Sequence, residues 1–75
     1  MDRRTQTGLL LDFYGALLTQ RQRALMRLHF DEDLSLAEIA EREGVSRQAV
    51  RDALVRGEAQ LVACEEKLGF LRRDR

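Results

Sequence analysis

The sequence predicts an all-α fold of four helices, the last much longer than the others. Three observations carry that expectation. The 75 residues contain no Pro and no alternating β-branched run, which leaves strands without support. Apolar residues recur instead at three- and four-residue spacing, the repeat that gathers one face of a helix. Thr19, Ser35 and Ser46 each precede such a run, where a side-chain oxygen can accept from a helix's first free amides.

The first helix is expected from Gly8 to Leu18, with Leu10, Phe13, Tyr14, Leu17 and Leu18 on its apolar face. Thr19 interrupts the pattern, and Thr19-Gln20-Arg21-Gln22 reads as a capping box. The second helix follows from Gln20 to Phe30, with Leu25, Met26 and Leu28 inward, and Asp31-Glu32-Asp33 closes it as an acidic loop. Ser35-Leu36-Ala37-Glu38 is a second capping box. It opens a short third helix whose inner face is Leu36, Ile39 and Ala40. Gly44 ends that helix, because the left-handed conformation that commonly follows a helix costs Gly little. Val45 is an apolar plug, and Ser46 caps a fourth helix from Arg47 to Leu68.

Along the fourth helix, Val50, Leu54, Gly57, Leu61, Cys64 and Leu68 step alternately by four and three, a heptad-like seam. Its second half needs the first helix, a further segment or a partner chain to cover it. Gly69 ends the helix. Phe70 and Leu71 are left over as apolar residues before Arg72-Arg73-Asp74-Arg75, as expected of a chain or helix that continues.

Leu36 to Val55 has the shape of a helix-turn-helix. With Leu36 counted as first, Ala40, Gly44 and Val50 fall at positions 5, 9 and 15. Ala40 must be small where the two helices cross, Gly44 supplies the turn, and Val50 packs on Ile39 and Val45. The sequence thus reads as one helical domain, residues 1–75, with the helix-turn-helix at 35–56.

Leu18-Thr19-Gln20-Arg21-Gln22-Arg23, Leu34 to Ala40 and Gly44 to Val50 together resemble region 4 of sigma-70-type factors. The chain has no room for the other sigma regions. With Leu11-Asp12-Phe13-Tyr14 and Glu65-Glu66-Lys67-Leu68 added, it is more similar to the YlxM family of small bacterial proteins. The resemblance implies a sigma-70 region 4-like fold and a regulatory, DNA-binding role. Genes of that family sit beside the gene for Ffh, the signal recognition particle protein, which implies a role in that pathway. Family chains usually run further at the C-terminus.

Composition excludes several classes of function. One Cys cannot build a disulfide framework or a Cys-rich zinc site. No apolar run approaches the ~18 residues of a membrane span, and the polar start, Met1 to Thr7, is not a secretory signal. A cytoplasmic protein without membrane association is expected. No Ser/His/Asp, Cys/His or phosphate-loop pattern occurs, and the five Gly residues are scattered. No catalytic residue, cofactor or metal is therefore expected, and the chain does not read as an enzyme. His29 reads as structural and Cys64 as a small buried apolar residue. Phe13 and Tyr14 read as core or interface.

The 13 bases balance 13 acids, but unevenly. Residues 1–30 hold five Arg against Asp2 and Asp12, while residues 31–45 hold six acids against Arg42. Residues 46–56 set Arg47, Arg51 and Arg56 against Asp52. A neutral chain does not suit strong non-specific polyanion binding, which needs many phosphate contacts.

The candidate nucleic-acid-binding residues are Ser46, Arg47, Gln48, Arg51, Asp52 and Arg56, with Val55 among them on the exposed face of the fourth helix. A helix in a major groove presents its first turns to base edges. Arg47 and Arg51 suit guanine and Gln48 suits adenine. The acids around Asp31, Glu32, Asp33 and Glu38 oppose docking on phosphate. Arg3, Arg4, Arg21, Arg23 and Arg27 form a second candidate basic surface, suited to a structured RNA.

Three functions are thus open. One is a regulator binding nucleic acid, either duplex DNA or signal recognition particle RNA. Another is an interaction module docking on Ffh or its RNA. The third is a structural module built on the heptad seam; a homodimer is expected, because so small a core gains from shared burial.

Overall fold

The structure, a computed structural model, describes residues 3–69. Four α-helices run in order: α1 Arg3–Tyr14, α2 Gln20–Phe30, α3 Leu36–Glu43 and α4 Arg47–Leu68, with a 3₁₀ turn, Gly15–Leu17, after α1. Local chemistry sets most of these boundaries. Thr19 Oγ1 accepts from the Gln22 amide at 3.1 Å and caps α2, while the Thr19 hydroxyl donates to the Gln22 side-chain oxygen. Ser35 and Glu38 form the reciprocal box: the Glu38 amide donates to Ser35 Oγ at 3.1 Å and the Ser35 amide to Glu38 Oε1 at 2.9 Å. Ser46 Oγ accepts from the Ala49 amide at 3.0 Å and starts α4. Gly44 and Gly69 end α3 and α4 at φ 69° and 66°.

The first helix departs from expectation at both ends. Among the described residues it runs from Arg3 to Tyr14, rather than from Gly8 to Leu18. Tertiary contacts hold the added turn: Thr7 is buried and donates to Glu58 Oε1 at 2.9 Å. At the other end the chain tightens into the 3₁₀ turn, closed by the Leu18 amide on Gly15 O at 3.0 Å. The inner face shifts with it. Thr7, Leu10, Leu11, Tyr14 and Leu18 are buried, whereas Phe13 and Leu17 are 49% and 58% exposed.

α1 and α4 lie side by side and run parallel. Thr7 meets Glu58, and Tyr14 donates to Glu65 Oε1 at 2.7 Å; both pairs are 51 residues apart in sequence. Seven residues, two helical turns, separate the contacts on each helix, so the register holds along the seam. α2 crosses α4 where Gly57 leaves room. A Cβ at Gly57 would stand 2.4 Å from Met26 Sδ. Leu11, Met26, Ile39, Val50 and Leu61 form the centre of the core. Burying each contributes about 1.5–3 kcal/mol.

Most of the predicted seam is therefore spent within one chain. Val50, Leu54, Gly57 and Leu61 are buried, Cys64 is half-buried against the core, and Leu68 is exposed. α4 dictates the outline as well. Its 22 residues span about 33 Å at 1.5 Å each, most of the 39 Å long axis. Phe70, Leu71 and Arg72 to Arg75, read above as a continuing tail, lie outside the described residues.

Candidate nucleic-acid interface

The turn between α3 and α4 is held from three sides. The Val45 amide donates to Ala40 O at 3.0 Å across the left-handed Gly44. Ala40 is buried beneath it, and Val45 packs on the core beside Ile39 and Val50. With Ser46 fixed as cap, the first turns of α4 have one orientation relative to α3. α3, this turn and the start of α4 thus form a helix-turn-helix.

On that frame Ser46, Arg47, Gln48, Arg51, Asp52, Val55 and Arg56 are all exposed. Their directions differ. At about 100° per residue, and with Val50 and Leu54 inward, Gln48, Asp52 and Val55 crown the outer face. Arg51 and Arg56 flank it on opposite sides. Arg51 and Val55 line a groove of about 430 Å³ whose apolar walls include Phe30, Leu36 and Leu54. Asp52 and Arg56 line a second groove, shared with Arg21 and Gln22 of α2. Gln48 Nε2 donates to Asp52 Oδ1 at 3.1 Å, one turn along the same face.

Among the described residues, Arg47, Arg51 and Arg56 make no hydrogen bond or ion pair, so their guanidiniums are available to a ligand. Arg4 and Arg27 are not. Arg27 Nη1 donates to Asp12 Oδ1 at 2.9 Å and to Asp31 Oδ2 at 2.8 Å. Those hydrogen bonds hold its pKa above the ordinary arginine value. Arg4 pairs with Asp33, donates to His29 O at 2.8 Å, and lies 6.0 Å from the Phe30 ring centre. Asp33 itself adopts φ 60°, a left-handed conformation that Asp tolerates better than most residues.

Two sequence expectations change as a result. The acidic loop is a weaker obstacle to phosphate than its composition suggests, because Asp31 and Asp33 are each matched by an Arg. The second basic surface is not assembled. Arg4 and Arg27 are committed to carboxylates, the Arg3 side chain lies outside the described residues, and Arg21 and Arg23 remain exposed in the first turn of α2. Glu38 stays ionised to lower pH than an ordinary glutamate, because the Ser35 backbone amide and hydroxyl favour its carboxylate.

The fold holds His29 and Tyr14 in place. His29 Nδ1 lies 2.8 Å from Leu34 O and its ring meets Phe30 edge-on. Tyr14 is buried, as expected, but Phe13 is exposed. Among the described residues, no cluster of His, Cys, Asp and Glu could hold a metal ion, and no helix is long and apolar enough to cross a membrane.

Comparison with known proteins agrees with the motif. A family model described as "UPF0122: Putative helix-turn-helix protein, YlxM / p13 like" matches residues 1–75. A UPF0122 protein of Clostridium botulinum is 47% identical over 73 residues, which covers 97% of this chain and 67% of that protein. A UPF0122 protein of Symbiobacterium thermophilum is 57% identical over 64 residues, 85% of this chain and 60% of its own length. A third, from Desulforamulus reducens, is 55% identical over 64 residues, covering 85% of this chain and 55% of the relative. The chain thus spans between 55% and 67% of the length of these relatives.

Proposed function

The chain belongs to the UPF0122 family of YlxM/p13-like helix-turn-helix proteins, and from that premise we propose that it is a regulatory protein without catalysis that reads duplex DNA through α4. One observation carries the proposal. Arg47, Arg51 and Arg56 stand exposed and without a partner among the described residues, on a helix that its cap and turn hold in place. In a major groove, Arg47 and Arg51 can each give two parallel hydrogen bonds to guanine O6 and N7. Gln48 can accept from adenine N6 and donate its second amide hydrogen to N7 while Asp52 holds the first. Asp52 thus fixes the amide's orientation before binding. Arg56 and Ser46 supply phosphate contacts at the margins.

A second reading is an interaction module of the signal recognition particle pathway that docks on Ffh or its RNA. The exposed Phe13, Leu17 and Leu68 favour it, since large apolar side chains left open to solvent suit a protein partner. The homodimer expected from the sequence is a proposal of the same kind, and these residues, with Val55 and Val62, are exposed apolar side chains it could use.

Anisotropy titrations decide between the readings. Labelled random duplex DNA and labelled signal recognition particle RNA are titrated at low and near-physiological salt with the wild type and the Arg47→Ala/Arg51→Ala variant. Duplex binding that the variant loses supports the DNA reading. Binding of RNA alone, or of neither, refutes it and moves the test to Ffh.

A further inference from the structure

We infer that the groove between the first turn of α2 and the flank of α4 is a phosphate-binding site, in which Arg21 and Arg56 grip one strand of a nucleic-acid backbone. The inference rests on the reading of α4 as a recognition helix and extends the footprint to α2, beyond the helix-turn-helix. The groove measures about 370 Å³, with Arg21 and Gln22 on one wall and Asp52 and Arg56 on the other. Ala49 and Ala53 line it too, and their short side chains leave space for a sugar-phosphate strand to approach the helix.

The charge in this groove is uncommitted. Arg21 and Arg56 are exposed and have no hydrogen bond or ion pair among the described residues. Arg4 and Arg27, drawn from the same N-terminal set of bases, are held by carboxylates. Asp52 is the one acid among the lining residues, and its Oδ1 already accepts from Gln48. The two guanidiniums therefore face the groove with an excess of one positive charge.

Position makes the ligand a backbone phosphate rather than a base or a small free anion. The other flank of α4 is taken by the groove that Arg51 shares with Leu36 of α3. A helix seated in a major groove about 12 Å wide has a sugar-phosphate strand on each side. The strand on the α2 side passes between Arg21 and Arg56. Guanidiniums suit it, because their planar fork matches two phosphate oxygens at once. The groove is open to solvent, as a strand lying in it requires.

The test separates this site from base reading. Two labelled duplexes of unrelated sequence and one labelled RNA hairpin are titrated across a salt series. The proteins are the wild type, Arg21→Ala, Arg56→Ala, their double variant and Arg47→Ala/Arg51→Ala. All four substituted side chains are exposed, and circular dichroism confirms folding. One lost phosphate contact lowers the log–log salt slope by about 0.9, which amounts to about fivefold weaker binding at 0.15 M salt. The expected result is that loss for each single variant, equal on both duplexes, with about twice the change in slope for the double variant.

An unchanged slope and affinity in the double variant, with binding lost in Arg47→Ala/Arg51→Ala, overturns the phosphate site and leaves the recognition helix standing. A loss confined to one duplex also overturns it, since that is base readout. The same loss on the RNA hairpin alone supports the phosphate site while overturning the DNA reading. A wild type that binds none of the three overturns both.

Discussion

Gly57→Ala tests whether the crossing of α2 over α4 is as close as the packing requires. Two effects oppose each other. Ala in a helix interior is favoured over Gly by about 0.8–1.0 kcal/mol. Against that, the new Cβ would lie 2.4 Å from Met26 Sδ and 3.4 and 3.5 Å from its Cγ and Cε. The first distance is more than an ångström inside ordinary contact at about 3.5–4.0 Å. The methyl group points at the middle of the side chain, so a small swing of its tip gives no relief. Met26 is fully buried, so relief has to come from repacking its side chain within the core or from a shift of α2. Overpacking of this kind costs about 1–3 kcal/mol, which outweighs the propensity gain and leaves a net loss of about 1 kcal/mol. For a domain this size that lowers Tm by about 4–8 °C. The assay is thermal unfolding followed at 222 nm. In a Met26→Ala background the clash is gone, and the same substitution should raise stability by the propensity term. A Gly57→Ala variant that melts several degrees above the wild type would refute the argument. The same crossing brings Arg21 of α2 and Arg56 of α4 to one groove, so on the phosphate-site proposal Gly57→Ala should also weaken nucleic-acid binding.

Ser46→Ala removes the cap of α4 and should cost about 1 kcal/mol; an unchanged melt would show that the turn holds the helix start without it. Leu61→Ala, at a fully buried position, should cost about 2–5 kcal/mol by the same amount at every protein concentration. A loss that shrinks at high concentration would place the seam between chains. Glu38 has its pKa lowered by Ser35, so its contribution is present at neutral pH and is lost as pH falls through the acidic range below an ordinary glutamate's value. Urea midpoints measured across that range should fall more steeply for the wild type than for Glu38→Gln; parallel curves would remove the linkage.

What the sequence made legible is what acts within a few residues. Thr19, Ser35 and Ser46 cap helices three residues away, and Gly44 and Gly69 turn the chain where they stand, so α2, α3 and α4 begin and end where expected. Exposure of Ser46, Arg47, Gln48, Arg51, Asp52 and Arg56 followed from the same local logic, since Val50 and Leu54 fix which face of α4 is buried. α1 was harder, because Leu9, Leu10, Leu11, Phe13, Tyr14, Leu17 and Leu18 allow more than one apolar face. The choice of Leu11 over Phe13 is made by α4, through Thr7–Glu58 and Tyr14–Glu65. No periodicity within α1 contains that information.

The arginines show the same limit at the candidate site. In the sequence, Arg4, Arg21, Arg23 and Arg27 are equivalent bases in one positively charged third of the chain. In the fold, Asp33 takes Arg4, while Asp12 and Asp31 take Arg27; Asp12 and Asp33 belong to elements other than the arginine's own. The acids that seemed to repel a polyanion thus quench the bases that seemed to attract one. Part of the charge left uncommitted borders α4, where Arg21 and Arg56 line one groove from two helices. Net charge per segment is therefore a poor guide to binding in a chain whose acids and bases are equal in number. What decides is which guanidiniums folding leaves unpaired. Among the described residues those include three on α4 and one beside it.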